Sequence, residues 1–170
     1  MTRVAIRRLV PADLPAYKDL RDGVLTAHPE AFTSDAAPER SPESYLSRLG
    51  LDSVDGGEFT LGAWEGDGLV GTVSCERDPR PKVRHIGHVI GMMVRSERQG
   101  LGIGHALIES CIAEAQTARG VVMLTLTVTA SNASAVRVYE RAGFTRCGRL
   151  ERAICIGGLY HAKDQMMLSL

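Results

Sequence analysis

The chain carries no net charge: 20 Lys and Arg balance 20 Asp and Glu over 170 residues. A balanced chain raises no global field, which removes bulk attraction to nucleic acid or to an anionic membrane as a basis for function. Long apolar runs are missing as well. No stretch approaches the roughly 20 residues that a bilayer span needs, and the opening MTRVAIRRLVPADL has no apolar core of signal-peptide length. A cytoplasmic protein without a membrane role is expected. The four cysteines, Cys75, Cys111, Cys147 and Cys155, form no CxxC pair. They sit inside strand-like or helix-like apolar patterns and read as buried, reduced thiols, with no metal site. Internal repeats, low-complexity tracts and linkers are absent, which excludes solenoids and tethered modules. What is present is 44% hydrophobic residues. That is enough for a proper core, and it fits one domain over residues 1–170 better than two.

Periodicity orders the elements. VAIRRL, Val4 to Leu9, alternates apolar and basic residues as a strand does. Pro11 and Asp13 open a helix with Leu14, Tyr17, Leu20, Val24 and Leu25 at helical spacing. After an irregular loop with Pro29 and Pro38, Ser41 can cap and Pro42 can begin a short helix. EFTLGAW and GLVGTVSCE, joined by the turn residues EGDG, read as a hairpin, and HIGHVIGMMV as a longer strand. Leu107, Ile108, Cys111, Ile112 and Ala115 make one stripe of a helix that Gly120 can end. VVMLTLTV has the near-continuous apolar character of a strand covered on both faces. A helix from Ala133 to Ala142 stops at Gly143, and FTRCGRLERAICI and HAKDQMMLSL, joined by GGLY, close the chain as strands. The predicted fold class is α/β (α+β) with a mixed sheet.

Between the third long strand and the apolar stripe lies VRSERQGLGIGHAL, with glycines at 100, 102 and 104. Each extra glycine costs about 0.5–1 kcal/mol in an ordered element, so their presence implies a close approach to the backbone. A strand running through a glycine turn into a helix offers unpaired N–H groups and the positive end of a helix dipole, which together bind phosphate. Two familiar loops are excluded by spacing. A Walker A loop needs Gly-Lys-Ser/Thr, but His105 and Ala106 follow Gly104; a Rossmann turn needs G-x-G-x-x-G, but His105 and Leu107 stand at the third position.

The spacing that does fit is Gln/Arg-x-x-Gly-x-Gly/Ala, through Gln99, Gly102 and Gly104. It resembles the acyl-CoA pyrophosphate loop of the GNAT N-acetyltransferases. Downstream, LTVTASNASAVRVYERAGF is similar to that family's Asn-x-x-Ala-x-x-Leu/Val-Tyr-x-x-x-Gly-Phe segment through Asn132, Ala135, Val138, Tyr139, Gly143 and Phe144. The matching pieces run from Val94 to Leu168; the first ninety residues resemble the family in arrangement more than in motif. The resemblance implies a GNAT-like, mostly antiparallel sheet with splayed parallel central strands and about four flanking helices. It implies acetyl-CoA as co-substrate, its pantetheine against the backbone of Met92, Met93 and Val94 and its pyrophosphate on the amides of Gln99, Gly100, Leu101, Gly102, Ile103 and Gly104. Tyr139 would protonate the departing thiolate. Asn132 has two readings, a contact to the pantetheine arm or a helix cap. Arg137 and Arg98 likewise either approach the cofactor's other phosphates or stay solvated.

Attack on a thioester needs a neutral amine, and the family commonly places a base on the fourth strand. His88 is the candidate, since imidazole titrates near neutrality. Period-two alternation puts it on the face of Ile90, Met92 and Val94 unless a bulge breaks the parity. The alternative is a structural, hydrogen-bonded histidine, with Glu76 as a weaker base. The loop from His28 to Glu43 holds Glu30, Asp35, Glu39 and Glu43 against Arg40 alone, which points to a cationic acceptor by complementarity or simply to solvated acids. HPEAFTSD resembles the loop of small-molecule members. The expected activity is transfer of acetyl to the primary amine of an amino acid, polyamine or antibiotic-like acceptor. A protein or peptide acetyltransferase and a non-catalytic acyl-CoA sensor are the alternatives, in a monomer or homodimer.

Overall fold

The structure is a computed structural model and describes residues 4–170; Met1 to Arg3, included in the expected 1–170 domain, lie outside the described residues. Seven strands form one sheet in the order β1-β2-β3-β4-β5-β7-β6. They are β1 (Ala5–Arg8), β2 (Phe59–Glu65), β3 (Gly68–Arg77), β4 (Ile86–Val94), β5 (Met123–Thr129), β6 (Thr145–Ile156) and β7 (Leu159–Ser169). Every neighbouring pair is antiparallel except β4 and β5. Three α-helices flank the sheet, α1 (Leu14–Ala27), α2 (Ile103–Thr117) and α3 (Ala133–Arg141), together with an eight-residue 3-10 helix at Pro42–Leu49 and three shorter ones.

Each face of the sheet has its own core. Helices α2 and α3 cover one face, where Leu107, Ile108 and Cys111 pack with Val73, Leu124, Leu126 and Phe144. Helix α1 and Pro42–Leu49 cover part of the other, where Leu20, Val24 and Tyr45 pack with Trp64, Leu69 and Met93. All five residues of the α1 stripe are buried, as their spacing predicts. The short helix differs from expectation: it is 3-10, and Ser41 makes no side-chain cap bond. Helix α2 ends at Thr117, three residues before Gly120, whose φ of +78° serves the following turn.

The expectation that β5 is covered on both faces fails. Leu124, Leu126 and Val128 are buried in the α2 and α3 core, but on the opposite face Thr125 is half-buried and Thr127 exposed. The run is apolar because one face is a dense core; β-branched threonines keep strand propensity on a face that opens to solvent. The cysteine expectation holds for two of four residues. Cys75 and Cys111 are buried, and burial pushes the Cys75 thiol up to about 12, but Cys147 and Cys155 are exposed on the edge strand β6. Among the described residues no helix is long and apolar enough to cross a membrane, and no cluster of side chains suits a metal ion.

Two irregularities shape the centre. Strands β4 and β5 pair only through Ile86 with Met123, Gly87 with Leu124 and His88 with Thr125, and then part. Against β3, the register of β4 jumps from Ser74 opposite Ile90 to Thr72 opposite Met93, a bulge centred on Gly91, whose φ is +59°. Glycine takes that conformation without the steric penalty a Cβ brings.

Candidate active site

A cavity of about 720 Å³ occupies the gap between the parted strands. On the β4 side, all residues from Val89 to Val94 line it. Because β5 has turned away, the β4 backbone groups on that edge lack a sheet partner, which makes them available to an extended, amide-bearing ligand. Met92, Met93 and Val94, the residues expected to hold the pantetheine, all line the cavity on this edge. The bulge changes the side-chain parity. Residues paired across antiparallel strands share a face, so Ile90 and Met93 stand with His88, while Met92 and Val94 pack on the α2 side.

Beyond β4, Gly100 and Gly102 have φ of +76° and +82°, and Gly102 is the N-cap of α2. The first backbone N–H groups of α2 have no carbonyl one turn earlier to bond, and Gly102, Ile103 and Gly104 at this helix start line the cavity. A Cβ on Gly102 would meet no protein atom within 4 Å, and one on Gly104 only Val94 Cγ2 at 4.0 Å. Space alone thus demands glycine at neither position; the φ of Gly102 favours glycine by itself, whereas at Gly104 an approaching ligand would be the reason. Gln99 Nε2 donates to the Val94 carbonyl at 3.3 Å, tying the loop to the end of β4. Gln99 and Gly100 line the cavity, whereas Leu101 is 62% exposed and turns away from it.

Helix α3 supplies the opposite wall. Tyr139 is 6% exposed, packs edge-on against Phe144 with ring centroids 6.1 Å apart, and lines the cavity. Burial pushes its phenol above the usual tyrosine range, so it stays protonated and able to donate at any physiological pH. Asn132 also lines the cavity, and its Oδ1 accepts the Ala135 N–H at 3.1 Å, so it caps α3. Arg137 is exposed on the cavity rim. Arg98 lines the cavity as well, with its Nε held by Glu65 Oε2 at 2.8 Å.

His88 is not among the lining residues. It stands at the last β4–β5 pair, at the closed end of the gap, where Nδ1 shares a hydrogen bond with Thr125 Oγ1 at 2.8 Å. Glu76 lies farther out, paired with Arg48 at 2.5 Å.

Residues 19–144 match the Acetyltransferase (GNAT) family. The chain belongs to this family. It is 36% identical over 126 residues to a mycothiol acetyltransferase of Geodermatophilus obscurus, a match covering 71% of this chain and 37% of that one. The chain spans 37% to 63% of the length of the curated relatives it matches. A GNAT-family acetyltransferase of Streptococcus pneumoniae superposes with a TM-score of 0.89 at 25% identity, covering 99% of this chain and 100% of the other. A GNAT phosphinothricin acetyltransferase of Sinorhizobium meliloti, solved in complex with acetyl-CoA, shares the fold with a TM-score of 0.84 at 20% identity, covering 100% and 89%.

Of the two readings of the acidic loop in this GNAT chain, a cationic acceptor or solvated acids, the exposure of Asp35, Glu39 and Glu43 fits the second. Of Glu30, Asp35, Glu39 and Glu43, only Glu30 lines the cavity, and among the described residues there it is the single carboxylate. The lining cations include Arg137, Arg141 and Lys163. The acids of an irregular loop turn to solvent, so their sequence clustering says little about the cleft. Sequence reasoning also missed His28 and Lys163. His28 ends α1, and its Nε2 shares a hydrogen bond with Ser96 Oγ at 3.1 Å, joining the loop after α1 to the glycine loop. Glu30 is fixed through its carbonyl, which accepts from Thr129 Oγ1 at 2.7 Å. Lys163 reaches the cavity because β7 pairs with β5, an alignment that no local pattern announces.

Proposed function

We propose that the chain is an acetyl-CoA-dependent N-acetyltransferase that modifies the primary amine of a small molecule by direct transfer in a ternary complex. The observation that carries this reading is the unpaired edge of β4 leading into the glycine turn, with Tyr139 on the facing wall. When bound, acetyl-CoA supplies the acetyl group and a thiolate leaving group.

The backbone of Met92, Met93 and Val94 would pair with the amides of the pantetheine arm. The N–H groups at the start of α2, from Gly102 to Gly104, would hold the pyrophosphate in the field of the helix dipole. Tyr139 would donate its phenolic hydrogen toward the sulfur as the C–S bond breaks and the C–N bond forms, help worth roughly 10²- to 10⁴-fold. Asn132 supports α3 as its cap and Arg137 offers a cation at the rim. The amine must lose one proton before attack and one after. His88 receives protons by way of Thr125 and solvent, because β5 carries Thr125 and Thr127 on the face that opens beside it. The loop that Thr129 and Ser96 hold over the far side of the cavity supports a small acceptor, as does the relative named for mycothiol.

The test is release of free thiol from acetyl-CoA against amino acids, polyamines, aminoglycoside-like amines and peptides. Release dependent on a small amine is expected. Release with peptides alone would replace the acceptor by a protein, and binding without release from any acceptor would leave an acyl-CoA sensor.

A further inference from the structure

Lys163 is a half-buried cation in the cavity that has no ion-pair partner among the described residues. It stands on β7 opposite Thr129, and residues paired in this way share a face of the sheet, so it lies on the face of Thr127 and not on that of α3. Its sequence neighbour Asp164 belongs to the opposite face. There it accepts from Arg149 at 2.6 and 3.0 Å and lies 3.8 Å from Arg146, so it is unavailable to Lys163. Glu30 is the single acid in the lining among the described residues, and it makes no ion pair with Lys163. Burial alone lowers the Lys163 pKa, with no charge or hydrogen bond opposing it.

The remaining cations are differently placed. Arg98 is held by Glu65, and Arg137 and Arg141 project from α3, on the side where the phosphates would run. Lys163 lies across the gap from the N-terminus of α2, on the side closed by the loop that includes Glu30 and Phe32. An ammonium partly withdrawn from water without a partner is stabilised when an anion joins it. The chain keeps one at the acceptor end of its cleft.

We propose that Lys163 recognises a carboxylate on the acceptor, so that the substrates are amino acids or other amino-carboxylates and not simple amines or polyamines. This rests on the acetyltransferase reading for the identity of the second substrate, but the binding itself can be tested separately. Acceptor specificity is then set by a charge on β7 and not by the acidic loop.

The experiment pairs each standard L-amino acid, β-alanine and γ-aminobutyrate with its carboxamide. Binding to CoA-saturated protein is measured by calorimetry and turnover by thiol release, for wild type, Lys163→Met and Lys163→Arg. At least one acid should surpass its amide about tenfold or more in affinity and in KM, the range of a charge-assisted hydrogen bond. Lys163→Met should bring the two within about twofold, and Lys163→Arg should keep the preference. Acid-selective binding that needs Lys163, without any turnover, would uphold this proposal and sink the transferase reading. Turnover with equal use of acid and amide would do the reverse. The proposal also fails if no acid binds, if Lys163→Met retains the preference, or if that variant lowers kcat equally for both members with KM unchanged. A tenfold loss of acetyl-CoA affinity in Lys163→Met would assign the anion to the cofactor's phosphates and overturn it as well.

Discussion

The two faces of the central gap are built on different principles. On the α2 and α3 side, the features lining the cavity are mostly backbone: glycines at positive φ, unpaired N–H groups at a helix start and an unpaired strand edge. On the α1 side they are side chains, Thr127, Lys163 and Phe32, brought together by β5, β7 and the loop after α1. Backbone recognition requires glycine at fixed spacing and leaves a motif in the sequence. Side-chain recognition on elements far apart in the chain leaves none. One side can thus stay constant for a common cofactor while the other varies with the acceptor.

Breaking the backbone side should have the largest effect. Gly102→Val puts a β-branched residue at a φ of +82° and a side chain into the cradle. Acetyl-CoA affinity should fall about 100-fold or more by calorimetry, since both the left-handed strain and the lost approach act against binding. Retained affinity would mean that the α2 N-terminus is not the phosphate seat. Tyr139→Phe comes next. It should keep the binding isotherm and lower kcat by about 10²- to 10⁴-fold; a wild-type rate would remove Tyr139 from the chemistry.

Gly104→Ala sharpens the comparison because it separates folding from binding. Gly104 lies inside α2, and the space around its missing Cβ is open on the protein side. Alanine there should stabilise the fold by about 0.5–1 kcal/mol in a denaturant titration and still weaken acetyl-CoA binding several-fold. Equal affinity with higher stability would show that nothing approaches this position. On the capping side, Asn132→Ala should cost about 1 kcal/mol of stability with little change in acetyl-CoA affinity, because its oxygen is already engaged by Ala135. A larger loss of affinity than of stability would restore the pantetheine contact. The smallest effect concerns the closed end. His88→Gln should shift the acidic limb of the pH–rate profile while leaving acetyl-CoA binding unchanged, and an unmoved profile would make His88 structural.

The same division explains what could be read in advance. The strand and helix order, the α1 stripe and the glycine loop follow local periodicities and spacings, and all are present in the fold. The both-faces reading of β5 failed because an apolar run records only total burial, and here the neighbouring strand departs after three residue pairs. The parity of β4 beyond Ile90 failed because one bulge at Gly91 shifts every later side chain to the other face. The acidic loop left two readings open because charge clustering in an irregular segment does not say which way each side chain turns. His28 and Lys163 went unseen since their positions depend on contacts to Ser96 and Thr129, both more than thirty residues away along the chain.

The most direct test of the account is an acetyl-CoA titration by calorimetry on wild type and Gly104→Ala in parallel. Micromolar binding in wild type, weakened in a variant that is more stable to denaturant, is the predicted result and would locate the ligand on the start of α2. Absence of binding in wild type, or equal binding in both proteins, would contradict the assignment of the gap between β4 and β5 as the cofactor's seat.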